Sequence, residues 1–394
     1  MSKKMKYIRH FVSAFILTIL GIGGINWFID PYGMHWSPKI TGINKNKTEA
    51  GNRVRLTKQY VVDSLRPEVV IIGNSRVEIG LDPKSPMFNH WTVYNFGIPG
   101  ASLKYQITNA LQQIESNKNL QHLIVSLDYL DFLYKESASE IITPIDELEA
   151  KKDLVELFSE RTPLILSLDA LHSSILTILT QQSRTSRITS LGFNDAKSFE
   201  TTISTEGKKP LFKQKLSSLK TRLENKHLSY RPAQWKGMGP GFEMLAELID
   251  RAVANEIELT LFINPYHYSY LQLLKDLGYW PDYLAWKRQL AGFVNQQFKQ
   301  QRLFDFSGFN QYTKEPVNLS QPKVEMEWFW EPSHYRKELG DLLLRELLNN
   351  NSQVALARTL SVESIDILLE QDNIGLAETA SQWEDLKLKL GLSL

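Results

Sequence analysis

The sequence predicts an α/β protein, a three-layer α/β/α sandwich built on about five parallel strands. Short runs of β-branched and apolar residues recur along the chain, and stretches with helical periodicity separate them. Strands that are apolar on both faces are typical of a parallel sheet covered by helices. Regular alternation of strand and helix favours right-handed crossovers between parallel strands. The predicted strands are 69–72, 92–95, 122–127, 258–263 and 303–306.

The segments between these strands carry apolar stripes at the spacing of helices. The clearest stripe follows the second strand and contains Leu103, Ile107, Ala110, Leu111 and Ile114. A long insertion at roughly 135–238 interrupts the alternation, and we expect a helical cap with a mobile flap there. Its segment 208–226 is equally compatible with a solvated helix face. Residues 351–394 form a C-terminal tail with helical periodicity and no evident chemistry.

Composition limits the classes of function. A chain of 394 residues allows one large domain or two small ones. The net charge of +1 and the lack of a basic patch argue against a nucleic-acid partner. The absence of cysteine excludes disulfides, thiolate metal sites and a cysteine nucleophile. The histidines have no metal-binding spacing, so we expect neither a metal ion nor a cofactor.

The first 30 residues have the pattern of a membrane anchor. Basic residues up to Arg9 precede Phe11–Ile29, a run of 19 residues without a charge. About 20 apolar residues cross a bilayer as a helix, and basic residues favour the cytoplasmic side. We therefore expect a cytoplasmic N-terminus and an extracytoplasmic domain. A cleaved signal peptide is the alternative, but the length of the run and the lack of a small-residue cleavage site favour an anchor.

Two further segments complete the predicted organisation. Residues 31–66 read as a linker that approaches the domain. Its basic residues are expected on the surface: Lys45, Lys47, Arg53, Arg55 and Lys58. Residues 67–350 form the α/β domain.

Ser75 is the candidate nucleophile. It follows the first predicted strand, and α/β sheets bind their ligands outside the carboxyl ends of the strands. The alternative is that Asn74 or Ser75 only caps the next helix.

His334 is the candidate base for Ser75, because histidine titrates near neutral pH and a serine hydroxyl needs a base to become nucleophilic. Glu331 lies three residues earlier, in a turn that contains Pro332. Such a turn lets the carboxylate reach Nδ1 of the ring and fix its tautomer. Gly97 and Gly100 allow backbone N–H groups to approach a ligand, as an oxyanion hole requires.

Three segments resemble sequence blocks of the SGNH/GDSL hydrolase superfamily. They are Gly73-Asn74-Ser75-Arg76, with Asn74 where many members have aspartate; Asn95–Gly100; and Glu331-Pro332-Ser333-His334, with Glu331 in place of aspartate. The resemblance implies a flavodoxin-like SGNH fold, with Gly100 and the Ser75 amide holding the oxyanion.

The third block of that superfamily, Gly-x-Asn-Asp, should fall at Leu127–Asp131, where this chain departs from it. The oxyanion asparagine corresponds to Leu130. Asp128 is close but cannot donate a hydrogen bond when it is ionised. Loss of one oxyanion donor typically lowers the rate by about 10²–10³-fold.

The form of the first block together with an anchor resembles a membrane-bound branch of that superfamily. This branch includes the D-alanine-transfer protein of teichoic acid synthesis and alginate-acetylation proteins. The resemblance implies a serine esterase or O-acyltransferase that acts on acyl esters of a cell-envelope polysaccharide, with a membrane-bound O-acyltransferase as a partner. An inactive scaffold that binds the polymer or that acyltransferase is the alternative. Nothing in the sequence distinguishes water from a sugar hydroxyl as the acceptor.

Four further residues are candidates for substrate binding: Asn74, Arg76, Asp128 and His267. Each has a structural alternative. Arg76 can pair with Glu78 or Asp82, and His267 can lie in a surface loop. We expect the Asp128 carboxylate to point away from the oxyanion, toward Arg76 or a backbone N–H.

Overall fold

A six-stranded sheet forms the centre of the protein in the computed structural model. The structure describes residues 3–34, 37–135, 165–183, 187–225, 228–229, 240–297, 303–348 and 356–392. Parts of the insertion for which a helical cap with a mobile flap is predicted, among them 136–164 and 230–238, lie outside the described residues.

The strands and helices follow one another along the chain with short 3₁₀ turns between them. The strands are β1 (Val69–Gly73), β2 (Val93–Gly97), β3 (His122–Leu127), β4 (Tyr134–Lys135), β5 (Leu228–Ser229), β6 (Glu258–Ile263), β7 (Leu303–Asp305), β8 (Phe329–Glu331), β9 (His334–Tyr335) and β10 (Arg358–Leu360). The helices are α1 (Lys3–Ile29), α2 (Val54–Leu65), α3 (Ser75–Gly80), α4 (Leu103–Ser116), α5 (Leu168–Leu179), α6 (Lys197–Glu206), α7 (Lys208–Asn225), α8 (Pro240–Ala254), α9 (Tyr268–Asp276), α10 (Trp280–Gln297), α11 (Lys337–Leu348), α12 (Ile365–Glu378) and α13 (Ala380–Leu390).

The central sheet is mostly parallel, in the order β10-β7-β6-β3-β1-β2. Its five parallel strands are the five that the sequence predicts. The sixth strand, β10, pairs antiparallel with β7 and places Thr359 opposite Phe304. The prediction of a purely helical tail is therefore wrong at β10, because three residues are too few to show a strand periodicity.

The core surrounds the sheet on both faces. Every residue of β1, β2 and β3 is buried, which explains the continuous apolar runs in these strands. The predicted stripe of α4 is also buried, from Leu103 to Ile114. The mixed α/β architecture with a mostly parallel sheet is confirmed.

Helix α1 contains the whole predicted apolar run. It is 27 residues long, and its apolar side chains are largely exposed, including Phe11, Phe15 and Leu17. Among the described residues it is the helix with the length and apolar composition to cross a membrane. It is therefore a candidate membrane anchor.

The segment 31–66 is more than a basic linker. Lys47 and Lys58, both expected on the surface, are buried. Nζ of Lys47 donates to the Ile29 carbonyl at 2.7 Å. Nζ of Lys58 lies 2.9 Å from Glu78 and donates to the Gly97 carbonyl at 2.6 Å. Their partners lie on distant parts of the chain, so local composition does not reveal their burial.

Helix α7 of the insertion packs beside the carboxyl edge of the sheet. Its residues Phe212, Leu216, Leu219 and Leu223 are buried at helical spacing, and it contacts β8 and α9. The segment is therefore a helix with one buried face, and its opposite face, which includes Lys213 and Ser218, is solvated as the alternative states. The last sequence block forms the β8–β9 hairpin, and α11 begins only at Lys337.

Candidate active site

Ser75 is the first residue of α3 and lies just after the carboxyl end of β1. Asn74 caps this helix, since its side-chain oxygen accepts a hydrogen bond of 3.0 Å from the Arg76 amide. The capping alternative is thus correct for Asn74. The hydroxyl of Ser75 has a different partner, Nε2 of His334, at 2.7 Å.

The β8–β9 hairpin brings Glu331 opposite His334. The Glu331 carboxylate accepts a hydrogen bond from Nδ1 of His334. Ser333 also holds this carboxylate, with its hydroxyl at 2.9 Å and its amide at 3.2 Å. Serine, imidazole and carboxylate therefore form one continuous chain of hydrogen bonds, in the order of contact used by serine hydrolases.

The protonation states suit proton transfer. Burial alone would raise the pKa of Glu331, but His334, Lys215 and Ser333 lower it to about 2, so the carboxylate is ionised at neutral pH. Burial lowers the pKa of His334 below its usual 6.5, against the opposing effect of Glu331. The imidazole is therefore neutral at pH 7, and Nε2 is able to accept the proton of Ser75.

Asp128, just after β3, holds the loop that carries Ser75. Its Oδ2 accepts a hydrogen bond of 2.6 Å from Nδ2 of the Asn74 side chain and pairs with the Arg76 guanidinium. Its Oδ1 accepts a hydrogen bond from the Tyr266 hydroxyl. The expectation that the Asp128 carboxylate turns toward Arg76 is confirmed, and pairing of Arg76 with Glu78 or Asp82 is not observed.

These contacts change the roles expected for two candidates. Asn74 lines the cavity next to Ser75, but both ends of its amide are engaged within the protein. Arg76 lies 5.0 Å from the centre of the Tyr266 ring as well as against Asp128. Both residues therefore stabilise the loop that carries Ser75, and these contacts do not require a ligand.

The two glycines of the second block differ. The Gly97 amide donates to Oδ1 of Asn95 at 2.8 Å, so it is not free for an oxyanion and that expectation is wrong. A Cβ at Gly97 would lie 2.5 Å from the Glu78 nitrogen, so the close approach of α3 requires glycine. Gly100 has φ of +67°, lines the cavity, and its N–H has no hydrogen-bond partner among the described residues.

The third block contributes no amide side chain to the site. Leu130 is buried and lines the cavity, as its alignment with the oxyanion asparagine implies. Asp131 also lines it and accepts a hydrogen bond of 3.3 Å from Gln106. Burial and the neighbouring Asp128 raise the pKa of Asp131 to about 7.

A cavity of about 340 Å³ opens beside Ser75. Three cationic side chains reach it, from Arg76 on α3 and from Lys215 and Arg222 on α7. Sequence reasoning missed the last two. The signal was present in the buried stripe of α7, because residues seven apart lie on one helix face and Lys215 and Arg222 flank that stripe.

His267 is not part of this cavity. Its ring is buried, Nδ1 accepts a hydrogen bond of 2.8 Å from Ser269, and Nε2 donates one of 2.8 Å to the Glu315 carbonyl. Burial lowers its pKa to about 4. The substrate-binding role expected for His267 is therefore wrong, because the residue caps α9 inside the core.

The geometry defines a Ser–His–Glu constellation at the carboxyl edge of a mostly parallel α/β sheet. Within the described residues, no group of three or more histidines, aspartates and glutamates is placed to hold a metal ion. Comparison with known protein families and with curated proteins found no match to this chain.

Proposed function

We propose that this protein is an SGNH-type serine esterase or O-acyltransferase that acts on acyl esters of a cell-envelope polysaccharide. The observation that carries the proposal is the hydrogen bond of 2.7 Å between Ser75 Oγ and His334 Nε2, with Glu331 on the other ring nitrogen. Nucleophile and base within about 2.6–3.2 Å of each other, with an orienting third group, are the signature of an activated serine.

The reaction follows from these positions. Ser75 Oγ attacks the acyl carbonyl while His334 Nε2 takes the hydroxyl proton. The amides of Ser75 and Gly100 stabilise the oxyanion of the tetrahedral intermediate. Its collapse forms the acyl-enzyme and expels the alcohol, which takes the proton from His334. Water or a sugar hydroxyl then attacks the acyl-enzyme while His334 accepts its proton. Collapse of this second tetrahedral intermediate breaks the bond between Ser75 Oγ and the acyl group, and His334 returns the proton to Ser75 Oγ.

The sheet supports assignment to the SGNH superfamily and to a flavodoxin-like, three-layer sandwich. Its parallel strands lie in the order β2-β1-β3-β6-β7. This order reverses between β1 and β3, and the carboxyl end of β1 carries Ser75. Ligands of doubly wound sheets bind at such a point.

Helix α1 supports a membrane location. We propose that it is a single-pass anchor with a cytoplasmic N-terminus and that the α/β domain is extracytoplasmic or periplasmic. An envelope polysaccharide is then within reach of the site. A membrane-bound O-acyltransferase is the partner that would supply acyl groups if the protein transfers them rather than hydrolysing the ester.

A catalytically inactive scaffold is the second candidate. The observation in its favour is the third block, in which Leu130 stands where the superfamily has an amide donor and Asp128 forms an ion pair with Arg76. The close Ser75–His334 contact favours catalysis, because a scaffold has no need of an aligned base.

The test is formation of the acyl-enzyme. Full-length protein in detergent would be incubated with an activated acyl ester and digested, and the peptides would be analysed by mass spectrometry. We expect the acyl adduct on Ser75 and its loss in Ser75→Ala. Ser218→Ala is the matched control, since Ser218 lines the same cavity on the exposed face of α7. Folded protein without an adduct on Ser75 would favour the scaffold.

A further inference from the structure

Two cations of the cavity make no direct ion pair. Lys215 and Arg222 lie seven residues apart on α7, about two helical turns, and both line the cavity with Ser75. Within the described ranges, neither makes a hydrogen bond or an ion pair with a carboxylate. Arg76 differs, because it pairs with Asp128.

The charges that line the cavity therefore do not cancel. Arg76 and Asp128 neutralise one another, which leaves Lys215 and Arg222 against Asp131 in the cavity lining. Glu331 lies outside the lining and attracts Lys215 without a direct ion pair, while its carboxylate is hydrogen-bonded to His334. The pKa of Asp131 is raised to about 7, so near neutral pH it carries only part of a negative charge. Half-buried Lys215 also loses solvation, and burial lowers its pKa. A cation that is partly removed from water is stabilised when an anion binds it.

We propose that Lys215 and Arg222 bind an anionic group, a carboxylate or a phosphate, on the molecule whose acyl ester Ser75 attacks. This inference rests on the proposed function and adds the class of substrate. Arginine presents a planar fork that matches both anions, and lysine adds a point charge. The cavity volume of about 340 Å³ is near the lower end for ligand sites, so it suits one charged unit of a polymer.

Kinetics with paired esters test the inference. The substrates are two aryl acetates of similar size, one with a carboxylate and one neutral. The readout is the ratio of kcat/KM for the charged ester to that for the neutral one. We expect this ratio to fall by about tenfold or more in the double variant Lys215→Gln, Arg222→Gln. Lys213→Gln is the control, because Lys213 is exposed on the same helix and does not line the cavity. It should keep the wild-type ratio.

Arg222→Glu provides a second variant that does not depend on Lys215, whose partial burial makes its replacement a risk to folding. Arg222 is exposed, so the fold should tolerate the change. The preference should then turn away from the carboxylate ester and toward an ester that carries an amine. A charged-to-neutral ratio that stays at the wild-type value in both Arg222→Glu and the double variant would overturn the proposal.

Binding without turnover separates this inference from the proposed function. Full-length Ser75→Ala would be titrated calorimetrically with glucuronate, with glycerol phosphate and with neutral glucose. We expect one of the two anions to bind, more weakly at high salt, and neither to bind once Lys215 and Arg222 are also replaced. Equal binding of glucose and of both anions would contradict the inference. Failure of Ser75 to form an acyl-enzyme would instead count against the proposed function, and the titration would still decide the anion site.

Discussion

The side chain of Asn74 donates a hydrogen bond of 2.6 Å to Asp128 and so joins the residue before the candidate nucleophile to the end of β3. The same carboxylate pairs with Arg76, the residue after it. Ser75 is thus held between two residues that share one buried acid. We therefore expect the alignment of its hydroxyl with His334 to depend on these contacts between the β1 and β3 ends.

Replacement of Asp128 by asparagine should disturb that loop. Arg76 would remain buried without its carboxylate, and loss of one partner of a buried ion pair typically costs about 3–5 kcal/mol. We expect a lower free energy of unfolding in urea and a lower rate of ester hydrolysis. Asp82→Asn, which removes a looser contact of 3.9 Å to Lys337, should cost less than about 1 kcal/mol. A clear gain of hydrolysis in Asp128→Asn would mean that the new amide serves the oxyanion.

The acid limb of the pH–rate profile should lie below pH 6.5. Protonated His334 cannot act as a base, and burial lowers its pKa from 6.5. The rate should therefore hold as the pH falls from 8 to about 6.5 and decline only at lower pH. Measurement of kcat/KM for a neutral ester between about pH 4 and 9 tests this. An apparent pKa above 6.5 in the free enzyme would contradict the assigned environment of His334.

Glu331→Gln should slow the reaction without loss of the fold. The carboxylate orients the ring and stabilises the imidazolium, and removal of such a group lowers kcat by up to about 10⁴-fold in related constellations. Glu331 also raises the pKa of His334, so the acid limb should move to lower pH in this variant. Glu338→Gln, at an exposed glutamate in α11, is the control. An unchanged rate and pH profile would remove Glu331 from the mechanism.

Arg358 should matter for stability although it lies outside the catalytic cavity. It pairs with Asp305 on β7 and with Asp372 on α12, and both carboxylates are buried. Arg358→Met would leave the two carboxylates with one shared cation, Lys287, and should lower the free energy of unfolding by about 3–5 kcal/mol. Arg288→Gln removes an exposed pair with Asp366 and should cost less than about 1 kcal/mol. Equal urea midpoints for the two variants would show that the buried network contributes little.

Membrane topology can be tested with a reporter on the full chain. Basic residues precede the apolar run of α1, which predicts an extracytoplasmic domain. Alkaline phosphatase, which is active only outside the cytoplasm, should be active when fused after the last residue. A green fluorescent protein fusion exported by the same general pathway should stay dark. The reverse pair of signals would place the domain in the cytoplasm.

Several parts of the protein follow from local sequence. The continuous apolar run of β1 indicates a strand covered on both faces, and the stripe of α4 repeats at the helical period, so the burial of both follows from the sequence alone. The same holds for the turn at Glu331–His334, where three residues and one proline suffice to bring the carboxylate to the ring. The sequence by itself therefore determined the parallel strands, the position of Ser75 and the pairing of His334 with Glu331.

The tertiary structure decided where long-range partners lie. The sequence alone predicts Lys58 on the surface and allows His267 in a surface loop. In the structure Lys58 is buried against Glu78, and His267 is buried and hydrogen-bonded to the Glu315 carbonyl. In the sequence, Lys215 and Arg222 are two cations of a lysine-rich segment. Only the packing of α7 places them at the cavity beside Ser75. Periodicity indicates which face of an element is apolar, but it does not indicate which distant element covers that face. The pairing of buried charges and the residues that line the cavity depend on which elements pack together, and only the tertiary structure shows this.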